Sequence, residues 1–193
     1  MADAVHESVT PQTAAPAPFP LALRLAHWTA AVLLLAVFAL AWALDRVGAG
    51  PLGAALVNAH RSLGLTLLAV MTLRLAWRLT HRLPPLPASV APWERRLAGT
   101  VQALLYAALL AQPLVGWAAS LLAGDRVRLF GIALPDWLAM DEEGGEALFA
   151  WHERIAWVIL ALVALHVAGA LRHRFVKHDG VFQRISLAGG RRG

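Results

Sequence analysis

The sequence predicts an all-α protein, a transmembrane four-helix bundle with both termini in the cytoplasm. Two observations predict the fold class, and a third predicts the orientation. The chain of 193 residues is 59% hydrophobic and only 15% charged, whereas an ordinary soluble domain has about 25% charged residues. Four apolar stretches each approach the roughly 20 residues that a helix needs to cross the hydrocarbon core of a membrane. Basic residues collect in the segments that would lie on one side of that membrane.

The predicted spans cover residues 21–44, 59–79, 97–122 and 151–171. Backbone N–H and C=O groups in lipid must be satisfied inside the spanning segment, so each span is expected to be a helix. Pro113 lies inside the third span and is expected to kink it, because proline removes a backbone hydrogen bond.

The four spans are expected to form one domain between two tails. Residues 1–18 lack hydrophobic periodicity and are predicted to be a disordered tail, and they lack the basic start of a signal peptide. Residues 19–180 are predicted to form the transmembrane domain, and residues 181–193 a basic C-terminal tail. The chain has no cysteine, which excludes disulfides, thiolate zinc sites and iron–sulfur clusters.

Charge sets the expected orientation of the bundle. Loop 80–96 and the segment after residue 171 are basic, whereas loop 123–150 is acidic overall. Because Lys and Arg collect in cytoplasmic loops, both termini are expected in the cytoplasm, and loops 45–58 and 123–150 in the periplasm. This placement explains a net charge of +5 without a nucleic-acid partner.

Four histidines lie in or at the edges of the apolar spans: His27, His60, His152 and His166. The predicted topology sorts them into two pairs by depth. His60 and His152 would lie near the periplasmic face, and His27 and His166 near the cytoplasmic face. The 14-residue spacing between His152 and His166 is nearly four helical turns, so both rings would lie on one face about 21 Å apart.

Two depth-matched pairs indicate two metal–ligand sites stacked across the membrane. Two imidazoles from facing helices are a usual way to hold a low-spin haem in a bundle core, and two such haems would carry electrons across the bilayer. The alternative for any one of these histidines is a packed, hydrogen-bonded side chain. The separation of about 21 Å along one helix excludes a single zinc or copper site that uses all four.

Arg74 lies 14 residues after His60, on a similar face and at the cytoplasmic depth. It could neutralise an anionic haem propionate, or it could extend to the membrane interface. Gly64 and Gly116 could let a flat macrocycle approach the helices, although small residues also serve helix packing. The histidines outside the spans are expected to be mostly solvated, and His173 could also contact a ligand at headgroup level, such as a quinone.

Several runs of residues together resemble the bacterial cytochrome b561 family. They are LRLAHW in the first span, NAHRSLG and MTLRLAWR in the second, and WHE and LHVAGALRHRF in the fourth. The resemblance covers about residues 20–186. It implies a four-helix, multi-pass protein of the bacterial inner membrane that binds two haem b groups, with the family's ligands carried over onto the four histidines of the spans.

The resemblance also implies an electron-transfer function. Members of the family are linked to quinone chemistry, which makes ubiquinone the expected acceptor, and some resemble an enzyme that oxidises periplasmic superoxide. Two features of this chain depart from that pattern. The third span has no histidine, and the acidic periplasmic loop contrasts with the positive potential that would steer superoxide, an anion. Arg61, Arg126, Arg128 and Arg154 are the residues that could supply such a potential locally.

A second function remains open from the sequence. Cytochrome b subunits of hydrogenases and formate dehydrogenases also use a few helices with histidine ligands. The chain could therefore be a haem-binding membrane anchor within a larger complex, with a redox partner protein in place of a small donor. A haem-free transporter is disfavoured, because no pair of broken helices is evident.

Overall fold

The structure is a computed structural model and describes residues 17–188. It contains four helices that are long and apolar enough to cross a membrane, which confirms the predicted fold class. They are α1 (Leu21–Val47), α2 (Pro51–Thr80), α3 (Pro92–Leu122) and α4 (Glu142–Arg172). The predicted disordered tail lies outside the described residues except for positions 17 and 18.

Two of the helices begin well before the spans expected from hydropathy. In α2, Gly50 allows the positive φ of 139° that precedes the helix, and Pro51 occupies its first turn, a position where a missing N–H costs nothing. In α4, Asp141 accepts a hydrogen bond from the backbone N–H of Gly144 and caps the first turn. The turns just before His60 and His152 are therefore helical.

The helices pack in chain order. α1 packs against α2, α2 against α3, and α3 against α4, whereas the backbones of α1 and α4 make no comparable contact within the described structure. A small apolar core of Ala30, Leu67, Met71, Leu109 and Ile159 closes the middle of the bundle. The backbones of α1 and α4 therefore lie further apart than those of the three packed pairs, and side chains of both helices meet in the core.

A short hairpin lies between α3 and α4. Its strands β1 (Arg128–Leu129) and β2 (Ile132–Ala133) are antiparallel, and its turn contains Phe130 and Gly131, both with positive φ. The hydroxyl of Ser62 on α2 accepts from the backbone N–H of Phe130 at 3.0 Å. The hairpin is thus fixed to the same end of α2 that carries His60.

The chain continues beyond α4 and folds back over the opposite end of the bundle. A single π-helical turn covers His173–Lys177, and a 3-10 turn covers Phe182–Arg184. We use the term C-terminal segment for residues 178–188. It contacts the start of α1 and the connection between α2 and α3.

Candidate functional site

The four histidines of the spans meet as two pairs at opposite ends of the bundle. The ring centres of His27 on α1 and His166 on α4 are 6.2 Å apart, and those of His60 on α2 and His152 on α4 are also 6.2 Å apart. We call the first the termini-end pair, because the described chain ends lie there, and the second the loop-end pair. α4 supplies one ring to each pair, as its 14-residue spacing predicts.

The orientation of both rings in the loop-end pair is fixed by backbone carbonyls. Nδ1 of His60 lies 3.1 Å from the carbonyl oxygen of Val37 on α1, and Nδ1 of His152 lies 3.1 Å from that of Gln112 on α3. A carbonyl oxygen can only accept, so each Nδ1 carries the proton and donates it. Each Nε2 is then the nitrogen with a free lone pair, as a metal ligand requires.

Gln112 holds His152 a second time. Its side-chain amide nitrogen donates to the backbone carbonyl of His152 at 2.9 Å. The side chain and the backbone of one residue on α3 therefore fix both the ring of His152 and the turn of α4 that carries it. The sequence gives only a weak signal for this role, because Gln112 is one of two amides in the third span.

A cavity of about 610 Å³ surrounds the loop-end pair and is lined by residues of all four helices. Its volume falls within the range of roughly 300–1,000 Å³ typical of ligand and cofactor sites. Gly64 lines this cavity, and a Cβ added there would meet no atom within 4 Å. The wall beside His60 is therefore open enough for a flat group to approach α2.

Gly116 on α3 also lines the cavity, but its surroundings are tight. A Cβ added at Gly116 would lie 2.7 Å from Cε1 and 2.8 Å from Nδ1 of His152. Only glycine at this position leaves room for the imidazole. Two polar atoms that line the same cavity, Nε1 of Trp117 and Oε1 of Gln112, are buried and have no hydrogen-bond partner among the described residues.

Charged groups of both signs lie at the mouth of this cavity. Asp45, Arg61 and Glu153 line it, and Arg61 forms an ion pair with Asp125 beyond the end of α3. The positive charge nearest to His60 is therefore neutralised by a carboxylate. The mouth is therefore not strongly positive for two reasons. The loop is acidic overall, and Arg61 is paired with Asp125.

The termini-end pair has different neighbours. Arg74 on α2 lies near both His27 and His166, and its guanidinium lies 5.7 Å from the ring centre of Tyr106. Nε of Arg74 is buried without a hydrogen-bond partner among the described residues, as is Nε1 of Trp77 one turn later. Two buried donors beside the pair fit an acceptor-bearing group such as a carboxylate.

An apolar layer separates the two pairs. Ile159 lies seven residues from each histidine of α4 and is 1% exposed. It packs in the central core with Leu67 and Met71 of α2. Seven residues correspond to about 10 Å along a helix, so the two pairs are distinct sites and not one cluster.

The donor set fits haem better than a bare metal ion. Among the described residues, no group of three or more His, Cys, Asp or Glu side chains converges, whereas a zinc site needs three or four protein ligands. A haem iron needs only two axial ligands from the protein. Two imidazoles bound on opposite sides of one metal, each with its nitrogen about 2 Å away, place their ring centres about 6 Å apart, which matches both pairs.

The histidines outside the spans have other surroundings. His173 is not solvated, because Nδ1 lies 2.6 Å from a carboxylate oxygen of Asp179 and the side chains are 14% and 5% exposed. The exposed ring of His81 stacks on Trp77 with ring centres 4.0 Å apart. His6 lies outside the described residues.

Comparison with known proteins gives a consistent family. The family model for prokaryotic cytochrome b561 matches residues 18–186. The chain is 30% identical to cytochrome b561 homolog 2 of Escherichia coli over 82% of this chain and 86% of that protein. It is 26% identical to a protein of Yersinia pestis named probable superoxide oxidase CybB, over 65% of this chain and 72% of that protein.

Proposed function

Because the chain belongs to the prokaryotic cytochrome b561 family, we propose that it carries electrons across the bacterial inner membrane between a donor at the loop end and membrane ubiquinone, with haem b at each histidine pair. The family and the four apolar helices make it a multi-pass membrane haem protein of electron transport. The proposal adds the number of haems, the ligands and the direction of transfer.

One observation carries the proposal, namely the two histidine pairs with equal ring separations of 6.2 Å. The ligands would be His60 with His152 at the loop end and His27 with His166 at the termini end. When bound, each haem would accept and release one electron reversibly. The protein's own contribution is to hold the rings, exclude water from the apolar layer and set the charge near each site.

Arg74 is the candidate counter-charge at the termini end. It is half-buried, its Nε has no hydrogen-bond partner among residues 17–188, and it lies near both rings of the pair. A guanidinium in this position would bind a haem propionate by charge-assisted hydrogen bonds. Its side chain therefore favours the first of the two roles expected from the sequence over extension to the membrane interface.

We further propose that the termini end is cytoplasmic. The described basic residues at that end include the cluster formed by Arg82, Arg95, Arg96, Arg172, Arg174, Lys177 and Arg184, as the positive-inside rule requires. The absence of cysteine allows a direct test with single-cysteine variants. Ala188→Cys should react with a membrane-impermeant maleimide only in inside-out vesicles, and Glu143→Cys only in right-side-out vesicles. The reverse result would overturn this orientation.

Superoxide is the donor to test first, because one relative carries the name of a probable superoxide oxidase. The ion pair between Arg61 and Asp125 makes the test specific. Asp125→Asn would leave Arg61 uncompensated at the cavity mouth, which should speed association of a small anion and strengthen its dependence on ionic strength. Glu146→Gln removes one negative charge from the exposed start of α4, outside the cavity lining, and is the matched control.

Haem content tests the whole proposal. The purified protein should hold two low-spin b haems per chain. Stopped-flow mixing with superoxide should reduce the haems when quinone is absent, and ubiquinone added afterwards should reoxidise them. A protein without haem would contradict the proposal. If the haems are present but reduced only by a soluble subunit that co-purifies with the chain, the membrane-anchor function takes its place.

A further inference from the structure

The C-terminal segment is hydrogen-bonded to the part of α1 that carries His27. Arg24, one turn before His27, donates from Nη1 to the carbonyl oxygen of Ser186 at 2.8 Å. Trp28, the residue after His27, donates from its indole N–H to the carbonyl oxygen of Ile185 at 2.9 Å. The turn of α1 that carries His27 is thus hydrogen-bonded, before and after His27, to backbone carbonyls of the C-terminal segment.

Arg184 anchors the C-terminal segment itself. It is 1% exposed, and its guanidinium donates to the carbonyl oxygens of Ala17, Pro84 and Pro85 at 3.3, 2.7 and 3.1 Å. The guanidinium carbon lies 4.4 Å from the ring centre of Phe19. These partners join the entry to α1 with the connection between α2 and α3, so Arg184 links three parts of the chain at one point.

Two features of the fold leave the termini-end pair in need of this support. α1 begins after Pro20 without a side-chain cap, and an uncapped first turn tends to fray. His27 lies in the second turn of that helix. In addition, α1 and α4 do not pack closely along their described lengths, although each supplies one ring of the pair.

The C-terminal segment connects these two helices. It follows α4 covalently after the π-helical turn of His173–Lys177, and it reaches α1 through the hydrogen bonds of Arg24 and Trp28. The π-helical turn is itself fixed, because Lys177 pairs with Glu94 of α3 at 2.6 Å. The distance between the His27 turn and the end of α4 is therefore set by the C-terminal segment.

We propose that the C-terminal segment positions His27 as an axial ligand, with Arg184, Arg24 and Trp28 as the positioning residues. The inference rests on the proposed haem at the termini-end pair. Loosening the C-terminal segment lets the first turns of α1 move, and the imidazole of His27 then leaves the metal for part of the time. The loop-end pair has no such dependence, because α3 and α1 hold its rings through Gln112 and Val37.

Carbon monoxide binding to the reduced protein measures this directly. An iron that has lost one axial imidazole has an open position for the gas, whereas a haem held by two histidines does not. The variants are Arg184→Ala, which removes the anchor, and Trp28→Phe, which removes one hydrogen bond and keeps an aromatic ring. Arg46→Ala is the control, because Arg46 lies at the other end of α1. Among the described residues it donates only to the carbonyl of Trp42 in its own helix, at 2.6 Å.

Each variant is made in two backgrounds that separate the sites. His60→Ala/His152→Ala retains only the termini-end pair, and His27→Ala/His166→Ala retains only the loop-end pair. In the first background, we expect the fraction of haem that binds carbon monoxide to rise several-fold with Arg184→Ala and less with Trp28→Phe. In the second background and with the Arg46 control, it should stay at the parent value.

Two results would overturn the proposal. One is unchanged carbon monoxide binding in Arg184→Ala and Trp28→Phe, with haem content equal to the parent. The other is an equal rise in both backgrounds, which would indicate general loosening of the bundle. If Arg184→Ala does not assemble, Trp28→Phe decides between these outcomes alone. Failure of the proposed function would be seen earlier, as an unsubstituted protein without haem at the termini-end pair.

Discussion

At the loop end, His60 and His152 each donate from Nδ1 to a backbone carbonyl 3.1 Å away, and the nearby Arg61 is paired with Asp125. At the termini end, no hydrogen bond fixes either ring within the described part of the chain, and Arg74 stands beside the pair with an unpartnered Nε. The residue type and the ring separation are the same at both ends. The surrounding groups differ in hydrogen bonding and in charge.

This difference has a consequence for electron transfer. A histidine that donates its Nδ1 proton to a carbonyl is a more basic ligand, which favours the oxidised iron and lowers the reduction potential. At the other site, the positive charge of Arg74 would offset the negative charge of a propionate, which favours the reduced iron and raises its potential. We therefore expect the termini-end haem to have the higher potential, so that electrons run downhill from the loop end to the termini end.

The largest effect that separates the two sites is expected from Gly116→Ala. The added Cβ would lie 2.7 Å from the imidazole of His152, so the ring must move and the loop-end haem should be lost. The haem content of the purified protein should fall to about half, and the remaining haem should have the spectrum of the termini-end site.

Gly99→Ala is the control for this prediction, and Gly64→Ala is a second, milder test of the same site. At Gly99, which is remote from the cavity, a Cβ meets nothing within 4 Å, so Gly99→Ala should keep both haems and gain up to about 1 kcal/mol of helix stability. At Gly64, an added Cβ meets no atom within 4 Å, but Gly64 lines the cavity. The methyl group of Gly64→Ala would take space from the haem, so loop-end haem binding should weaken. Full haem content in Gly116→Ala would contradict the assigned site.

A smaller effect, at the other site, is expected from Arg74→Gln. Removing one positive charge at a partly buried site costs about 1–2 kcal/mol of interaction. For a one-electron couple, about 1.4 kcal/mol corresponds to roughly 59 mV. The potential of the termini-end haem should therefore fall by about that amount in a redox titration, and the gap between the two haems should narrow.

Arg78→Gln is the matched control, because Arg78 lies one turn further along the same helix and is exposed. Arg78→Gln should shift each of the two reduction potentials by only a small fraction of the shift that Arg74→Gln causes. An equal shift from both variants would show that Arg74 has no special place beside the termini-end pair.

The smallest effect is expected from Gln112→Leu. It removes the amide hydrogen bond to the backbone of His152 but keeps the backbone carbonyl that accepts from its Nδ1. Loss of one neutral hydrogen bond costs about 1 kcal/mol, which for a chain of this size lowers a melting temperature by about 2–4 °C. The temperature at which the loop-end haem is released should fall by that amount. Gln102→Leu should leave the release temperature of both haems unchanged.

The four helices and the two histidine pairs could be predicted from the sequence because both follow from simple periodicities. Long apolar stretches have no stable alternative to helices in lipid, and a spacing of 14 residues returns to the same helix face. The pairing by depth then needs only the order of the spans. For this reason His60 meets His152, and His27 meets His166, as the topology predicts.

The supporting groups could not be predicted in the same way. The carbonyls of Val37 and Gln112 are backbone groups, which every residue carries, so no side-chain pattern marks them. The stretch before His60 opens with Pro51 and contains Gly53, and the stretch before His152 opens with acidic residues and glycines. Proline, glycine and acidic residues are common in loops, so the sequence pattern does not distinguish a helix that continues beyond the membrane from a loop. Arg184 is buried against backbone carbonyls and an aromatic ring. These partners are not carboxylates, so the charge pattern of the sequence does not identify them.

A redox titration of the haem spectrum, with the unsubstituted protein and His166→Ala side by side, tests the central claim most directly. We expect two low-spin b haems of different potential, and we expect His166→Ala to remove the component of higher potential and leave the other unchanged. A single component in the unsubstituted protein, or loss of the lower-potential component in His166→Ala, would contradict this claim.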